Sequence, residues 1–131
     1  MCNRIKLSLA VMAGGALGAL CRSGGDSAIM AAMGGEFPLG ILCINMLGSF
    51  LMGLLTGFLS RTASGGPMAS AFFGTGFLGG FTTFSSFALD TVRLCEGGHQ
   101  LFALLNIGLN VTLCVLLAGL GWFVASRKEQ G

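Results

Sequence analysis

Three asparagines and one glycine-threonine-phenylalanine segment carry most of the chemistry this sequence offers. Asn45, Ser49, Gly53 and Gly57 recur every four residues, and Asn106, Asn110 and Cys114 repeat that spacing near the other end of the chain. On a helix, such spacing puts each set on one face. Two readings follow. Small residues let helices approach closely while Asn or Ser hydrogen-bonds across the seam, or the amides face a water-filled path. An amide supplies N–H donors without a fixed charge, which suits an anion that must not be trapped. Two asparagines at i and i+4, set against another polar stripe, point to a lined pathway.

The second feature is the run from Gly76 to Phe87, GFLGGFTTFSSF. Adjacent glycines followed by two β-branched threonines are poor helix formers, so an interruption is expected over 79–83. Unwound backbone inside a membrane survives only if buried in protein or lining a cavity. Freed carbonyls there serve cations and helix N-termini serve anions, so the break predicts bound ions of either sign. Phe84 and Phe87, three apart, share a face of the half-helix that follows. Spacing alone suits lipid exposure or core packing. Aromatic ring edges are also electropositive, and aligned edges can meet a small anion without gripping it.

The elements that must hold these residues are membrane spans. Of the 131 residues, 53% are hydrophobic and 9% charged, where a soluble domain carries about 25% charged residues. A spanning helix needs roughly 20 apolar residues, and four candidates satisfy this as one transmembrane domain. They cover about 5–22, 38–60, 67–94 (with the break at 79–83) and 101–126, giving an all-α integral membrane fold. A signal peptide would resemble the first, with a basic start and an apolar middle, but no A-x-A site precedes a soluble mature region. A polar loop is expected over Ser23–Glu36, a short turn over Arg61–Gly66, and another over Cys95–Gln100. Four thin helices enclose little volume, so an ion path needs a second copy to complete it.

The remaining polar residues narrow the function. Five cysteines without a C-x-x-C pair, and a single histidine, His99, in a loop, offer neither a metal cluster nor a disulfide framework. No nucleophile–base set suggests an enzyme. The net charge of +2 is too small and scattered for nucleic acid. Asp90 and Arg93 fall near the end of the third span, where an ion pair or interfacial position is expected. Gly14, Gly18 and Arg22 share one face. The glycines read as close packing, while Arg22 either snorkels to the headgroups or lends positive potential to a vestibule.

Taken together, Gly18-Ala19-Leu20-Cys21-Arg22, Asn45-Met46-Leu47-Gly48-Ser49-Phe50 and the Gly76–Phe87 run resemble the Fluc (CrcB-type) fluoride channels over nearly the whole chain. The resemblance implies an antiparallel, dual-topology dimer in the bacterial inner membrane that passes fluoride out of the cytoplasm through two pores. It implies that Phe84 and Phe87 belong to phenylalanine boxes and that Asn45 is a pore-lining donor; Thr83 and Ser85, with Asn106 and Asn110 of the fourth-span stripe, are expected as further pore residues. The backbone carbonyls of Gly79 and Thr82 from both copies would hold a structural, untransported sodium ion. The fourth span departs from the family, which often has an aromatic or hydroxyl residues where this chain has Asn106, Asn110 and Cys114.

A competing reading is a small multidrug-resistance-type proton-coupled exchanger, also a four-helix antiparallel dimer. Such exchangers rely on a glutamate in the first helix, and Ile5–Cys21 has none. A non-transporting structural subunit leaves the polar stripes and the break unexplained. Orientation follows the Lys/Arg difference between the two sides. Arg4, Lys6, Arg61, Arg127 and Lys128 fall on one side, Arg22 and Arg93 on the other, a bias toward cytoplasmic termini. Either the chain still pairs with an inverted copy of itself, or it pairs with an oppositely oriented paralogue.

Overall fold

A computed structural model describes residues 2–61 and 66–127. Lys128 and Glu129, and most of the Arg61–Gly66 turn, lie outside them. The described residues form helices α1 (Cys2–Met33), α2 (Leu39–Leu59) and α3 (Pro67–Ala69), a π-helix (Ser70–Leu78), then α4 (Gly79–Phe81), α5 (Phe84–Glu96) and α6 (Gln100–Ser126). Among the described residues three helices are long and apolar enough to cross a membrane: Asn3–Met33, Leu39–Leu59 and Gln100–Ser126. The third expected span, 67–94, is divided between two shorter helical pieces.

The bundle buries three asparagines within its apolar core and turns many large apolar side chains outward. Leu20 is 70% exposed and Val115 67%, whereas Asn106 is 1% exposed. Water would reverse that order, and a hydrocarbon solvent favours it.

Two expectations change. The polar loop over Ser23–Glu36 is instead helix as far as Met33, because Ala28, Ile29, Met30, Ala31 and Ala32 are sound helix residues. The chain then turns on Gly34 and Gly35, at φ 65° and 95°, where a side chain would be strained. Arg22 therefore lies well inside α1 and does not close it. The interruption is also narrower than 79–83. Gly79 is helical, at φ −64° and ψ −36°, and α4 runs to Phe81. Only Thr82 (φ −80°, ψ 154°) and Thr83 (φ −151°, ψ 122°) are extended. β-Branching at Cβ, which costs χ1 freedom in a helix, thus marks the break better than glycine does.

The glycines serve packing. A Cβ on Gly14 would stand 2.2 Å from the carbonyl oxygen of Phe72, and one on Gly18 2.1 Å from that of Phe77. Gly80 presses on Gly15 in the same way. Backbone-to-backbone contact thus joins α1 to the π-helix and α4. Nine residues of π-helix are unusual, since the form mostly occurs as single-turn bulges, often at functional sites. Nothing in the residue pattern announces it. On the other side α2 lies along α6, with Gly53 against the Ala118 carbonyl and Gly121 against that of Phe50. The close-packing reading of the small-residue stripe thus holds at Gly53 and Gly57.

The ends of the bundle differ in charge. Asp26, Glu36, Asp90, Arg93, Glu96 and His99 gather where α1 and α5 finish and α2 and α6 begin, and the opposite end carries Arg4, Lys6, Arg61 and Arg127. Among the described residues that second end holds no acidic side chain.

Candidate functional site

The break at Thr82–Thr83 is held from two directions. From the α2 side, Asn45 pairs with Thr83 as a neighbouring strand would. The Thr83 N–H donates to Asn45 Oδ1 at 2.8 Å, and Asn45 Nδ2 donates to the Thr83 carbonyl at 3.0 Å. Extended backbone buried without such a partner would be costly. From the α1 side, Arg22 Nε donates to the Gly80 carbonyl at 3.1 Å, with Nη1 at 3.5 Å from Ser86 Oγ. A cation beside the last carbonyls of a helical segment is favoured by their dipoles. This contact adds to the vestibule, headgroup or packing roles expected for Arg22 a bond to the backbone beside the break. Thr83 Oγ1 then caps α5 by accepting from the Ser86 N–H at 3.1 Å.

Asn45 has a second engagement. Its Nδ2 also donates to Asn110 Oδ1 at 3.0 Å, so both amide hydrogens are occupied. Asn110 Nδ2 in turn donates to the carbonyl (3.1 Å) and Oδ1 (2.9 Å) of Asn106. Asn106 Nδ2 donates to Thr91 Oγ1 at 2.9 Å, and Thr91 Oγ1 to the Phe87 carbonyl at 2.8 Å. All three asparagines are buried.

Beside this network lies an open groove of about 450 Å³. Asn45, Thr83, Phe84, Phe87 and Asn110 line it, together with Ser49, Thr82 and Cys114, and no charged side chain does. The Ser49 hydroxyl makes no hydrogen bond to another described residue. Phe84 and Phe87 meet edge-on, with centroids 5.2 Å apart and planes at 61°. Phe87 is buried, yet Phe84 is 77% exposed, so the groove's outer wall is bare. Of the remaining expected residues, Ser85 bonds Thr83 at 3.1 Å. Ser85, Asn106, Arg22 and Gly79 lie outside the lining. Thr91 escaped notice in the sequence, because a single threonine in a mixed half-helix carries no pattern.

A second cavity of about 380 Å³ occupies the acidic end, lined by Asp26, Glu36, Asp90, Arg93 and His99 among others. His99 Nε2 stands 2.9 Å from Glu36 Oε2, and Arg93 3.6 Å from Asp90. The i,i+3 ion pair expected near the end of the third span is present. Among the described residues no three His, Cys, Asp or Glu side chains cluster as metal ligands.

Comparison with known proteins gives this groove its context. Residues 9–122 match the profile of the family described as CrcB-like protein, Camphor Resistance (CrcB). The chain belongs to the CrcB family. Its relatives include the fluoride-specific ion channel FluC of Syntrophotalea carbinolica, 46% identical over 113 residues that cover 86% of this chain and 92% of the relative. The protein of the same name from Aeromonas salmonicida is 44% identical over 120 residues, 91% of this chain and 96% of its own. That from Pseudoalteromonas translucida is 42% identical over 115 residues, 88% and 96% of the two chains. With its apolar helices, this CrcB-family chain is a multi-pass membrane protein.

Proposed function

We propose that this chain forms a fluoride-selective channel that lets fluoride leave the cytoplasm passively, through pores completed by a second copy. The observation that carries the reading is a groove lined by Phe84, Phe87 and neutral polar groups among apolar side chains such as Met52 and Val111, with no charge in its lining. Burying even a carboxylate-sized ion costs on the order of 20 kcal/mol in a low dielectric, and smaller fluoride costs more. A pore must replace that hydration and still release the ion. The edges of Phe84 and Phe87 and the hydroxyl of Ser49 can share the task, whereas a lysine there would trap the anion. Kinship with channels named for fluoride supports the same ion.

The partner in this reading is a second, antiparallel copy. Head-to-tail pairing would lay the acidic end of one copy beside the basic end of the other and cover the exposed Phe84. The Thr82–Thr83 break would then sit at mid-membrane between four spans per copy. The carbonyls of Gly79 and Thr82 receive no side-chain hydrogen bond from a described residue. Oxygen donors of this kind suit a hard cation, so both copies together would hold the structural sodium ion and lock the interface. The exchanger reading gains little. The longer α1 does carry Asp26, but that carboxylate lies in the terminal cavity, away from the groove.

The test is anion efflux from proteoliposomes. Fluoride should leave and chloride should not, and release should weaken after exhaustive exchange into sodium-free N-methylglucamine buffer. Phe84→Ile or Phe87→Ile keeps the bulk but removes the polarised edge, so flux should fall severely while the dimer persists on gel filtration. Full flux in both variants would return the rings to simple packing. Orientation is read by labelling a cysteine added at the C-terminus on a cysteine-free background. Labelling from one face only, in cells expressing this chain alone, would point to an oppositely oriented paralogue as the partner.

A further inference from the structure

We infer that Asn106, Asn110 and Thr91 are positioning residues that fix the first turn of α5 relative to the break, and that the two α6 amides are not ion donors. The inference rests on the channel reading for its transport consequence, but its geometry stands alone. Five hydrogen bonds run in one direction: Thr83 N–H to Asn45, Asn45 to Asn110, Asn110 to Asn106, Asn106 to Thr91, and Thr91 to the Phe87 carbonyl. The direction is set by chemistry at both ends. A backbone N–H only donates and a backbone carbonyl only accepts, so each amide between them has one permitted orientation.

The chain begins at Thr83 and ends at Phe87, the two ends of the turn that carries Phe84. It leaves the break through α2, crosses to α6, and returns to α5 one turn further on. Both hydrogens of the Asn110 amide are spent on Asn106, so Asn110 has none to offer an ion, although it lines the groove. Asn106 and Thr91 do not line it. Hydrogen bonds linked in this way polarise and strengthen one another, and a half-satisfied network is worse than none. Loss of a distant link should therefore loosen the ring pair.

Thr91→Val keeps the branched shape and removes only the hydroxyl. In the same efflux assay it should lower the fluoride rate per active channel by about tenfold or more, as expected for losing the two hydrogen bonds that its hydroxyl makes. The fraction of vesicles emptied should stay at the parent level. Thr91→Ser should restore the rate. Asn106→Leu should resemble Thr91→Val, and the double variant should be no slower than either single one, since both cut one chain. Hydrogen exchange over residues 79–87 should quicken in Thr91→Val and return to the parent pattern in Thr91→Ser. A parent-like rate and exchange in Thr91→Val would overturn the inference, as would a loss seen only as fewer active vesicles. If the parent passes no fluoride, the channel reading falls and exchange alone decides. Faster exchange in Thr91→Val then sustains the positioning role, and unchanged exchange removes it.

Discussion

The two flanks of the Thr82–Thr83 break are held by different physics. Toward α1, glycines bring backbone against backbone, with Gly14 and Gly18 on Phe72 and Phe77 and Arg22 as the polar link to Gly80. Toward α2 and α6, side-chain amides substitute for the missing helix partners, and Asn45 meets both backbone groups of Thr83. The first flank depends on shape, and any atom added at such close range meets steep steric repulsion. The second depends on satisfied hydrogen bonds in a medium without water to replace them. A segment that must stay unwound beside a groove is thus clamped by shape on one side and by polarity on the other.

Substitution should separate the two. The largest effect is expected from Asn45→Leu, nearly isosteric, which strips partners from the Thr83 N–H, the Thr83 carbonyl and Asn110 Oδ1 together. At about 1 kcal/mol or more for each orphaned buried group, the cost is about 3 kcal/mol or more. It should appear as lost flux and a lower thermal midpoint of the detergent-solubilised protein. Retained stability would mean that water, not Asn45, satisfies the break.

Gly18→Ala tests the other flank. Its Cβ would fall 2.1 Å from a backbone oxygen, and overpacking of this kind costs about 1–3 kcal/mol. Gly24→Ala on the same helix meets nothing within 4 Å and should hold the midpoint or raise it slightly, since alanine is the better helix former. Equal midpoints for the two variants would dissolve the contrast between a shape-held and a polarity-held flank. The smallest effect belongs to Arg22→Met, which removes the bond to Gly80 and the long one to Ser86 from a half-buried cation, about 1–2 kcal/mol. A lowered midpoint with Asn45 intact would show that Arg22 contributes independently. No change would leave the α1 flank to the glycines alone.

Legibility in the sequence followed the same division. The amide stripes at Asn45 and at Asn106 and Asn110 could be read because spacing of four survives any helix packing. Their partners could not, since a side chain's neighbour across a bundle depends on rotations that spacing does not encode. The break was expected near its place from glycines and threonines together, and of the two only the threonines make it. Gly79 and Gly80 look like helix breakers by propensity and are retained because Gly80 must touch Gly15, which is a tertiary demand. Helix α1 ran past its expected end because Gly24, Gly25 and Asp26 suggested a loop, while the apolar run after them outweighed that signal. The π-helix left no trace in residue type, since its widening answers to α1 packed against it.

The asparagine pair on α6 also works as a vernier for helix alignment. A slide of α6 by one turn, about 5.4 Å, in one direction would set Asn106 opposite Asn45 and Phe102 opposite Thr91. In the other direction it would set Cys114 opposite Asn45. Either mismatch strands an amide or a hydroxyl in a place that hydrocarbon cannot wet. Only one vertical setting lets both rungs engage, so a hairpin of nearly featureless apolar helices acquires a unique height at which it latches.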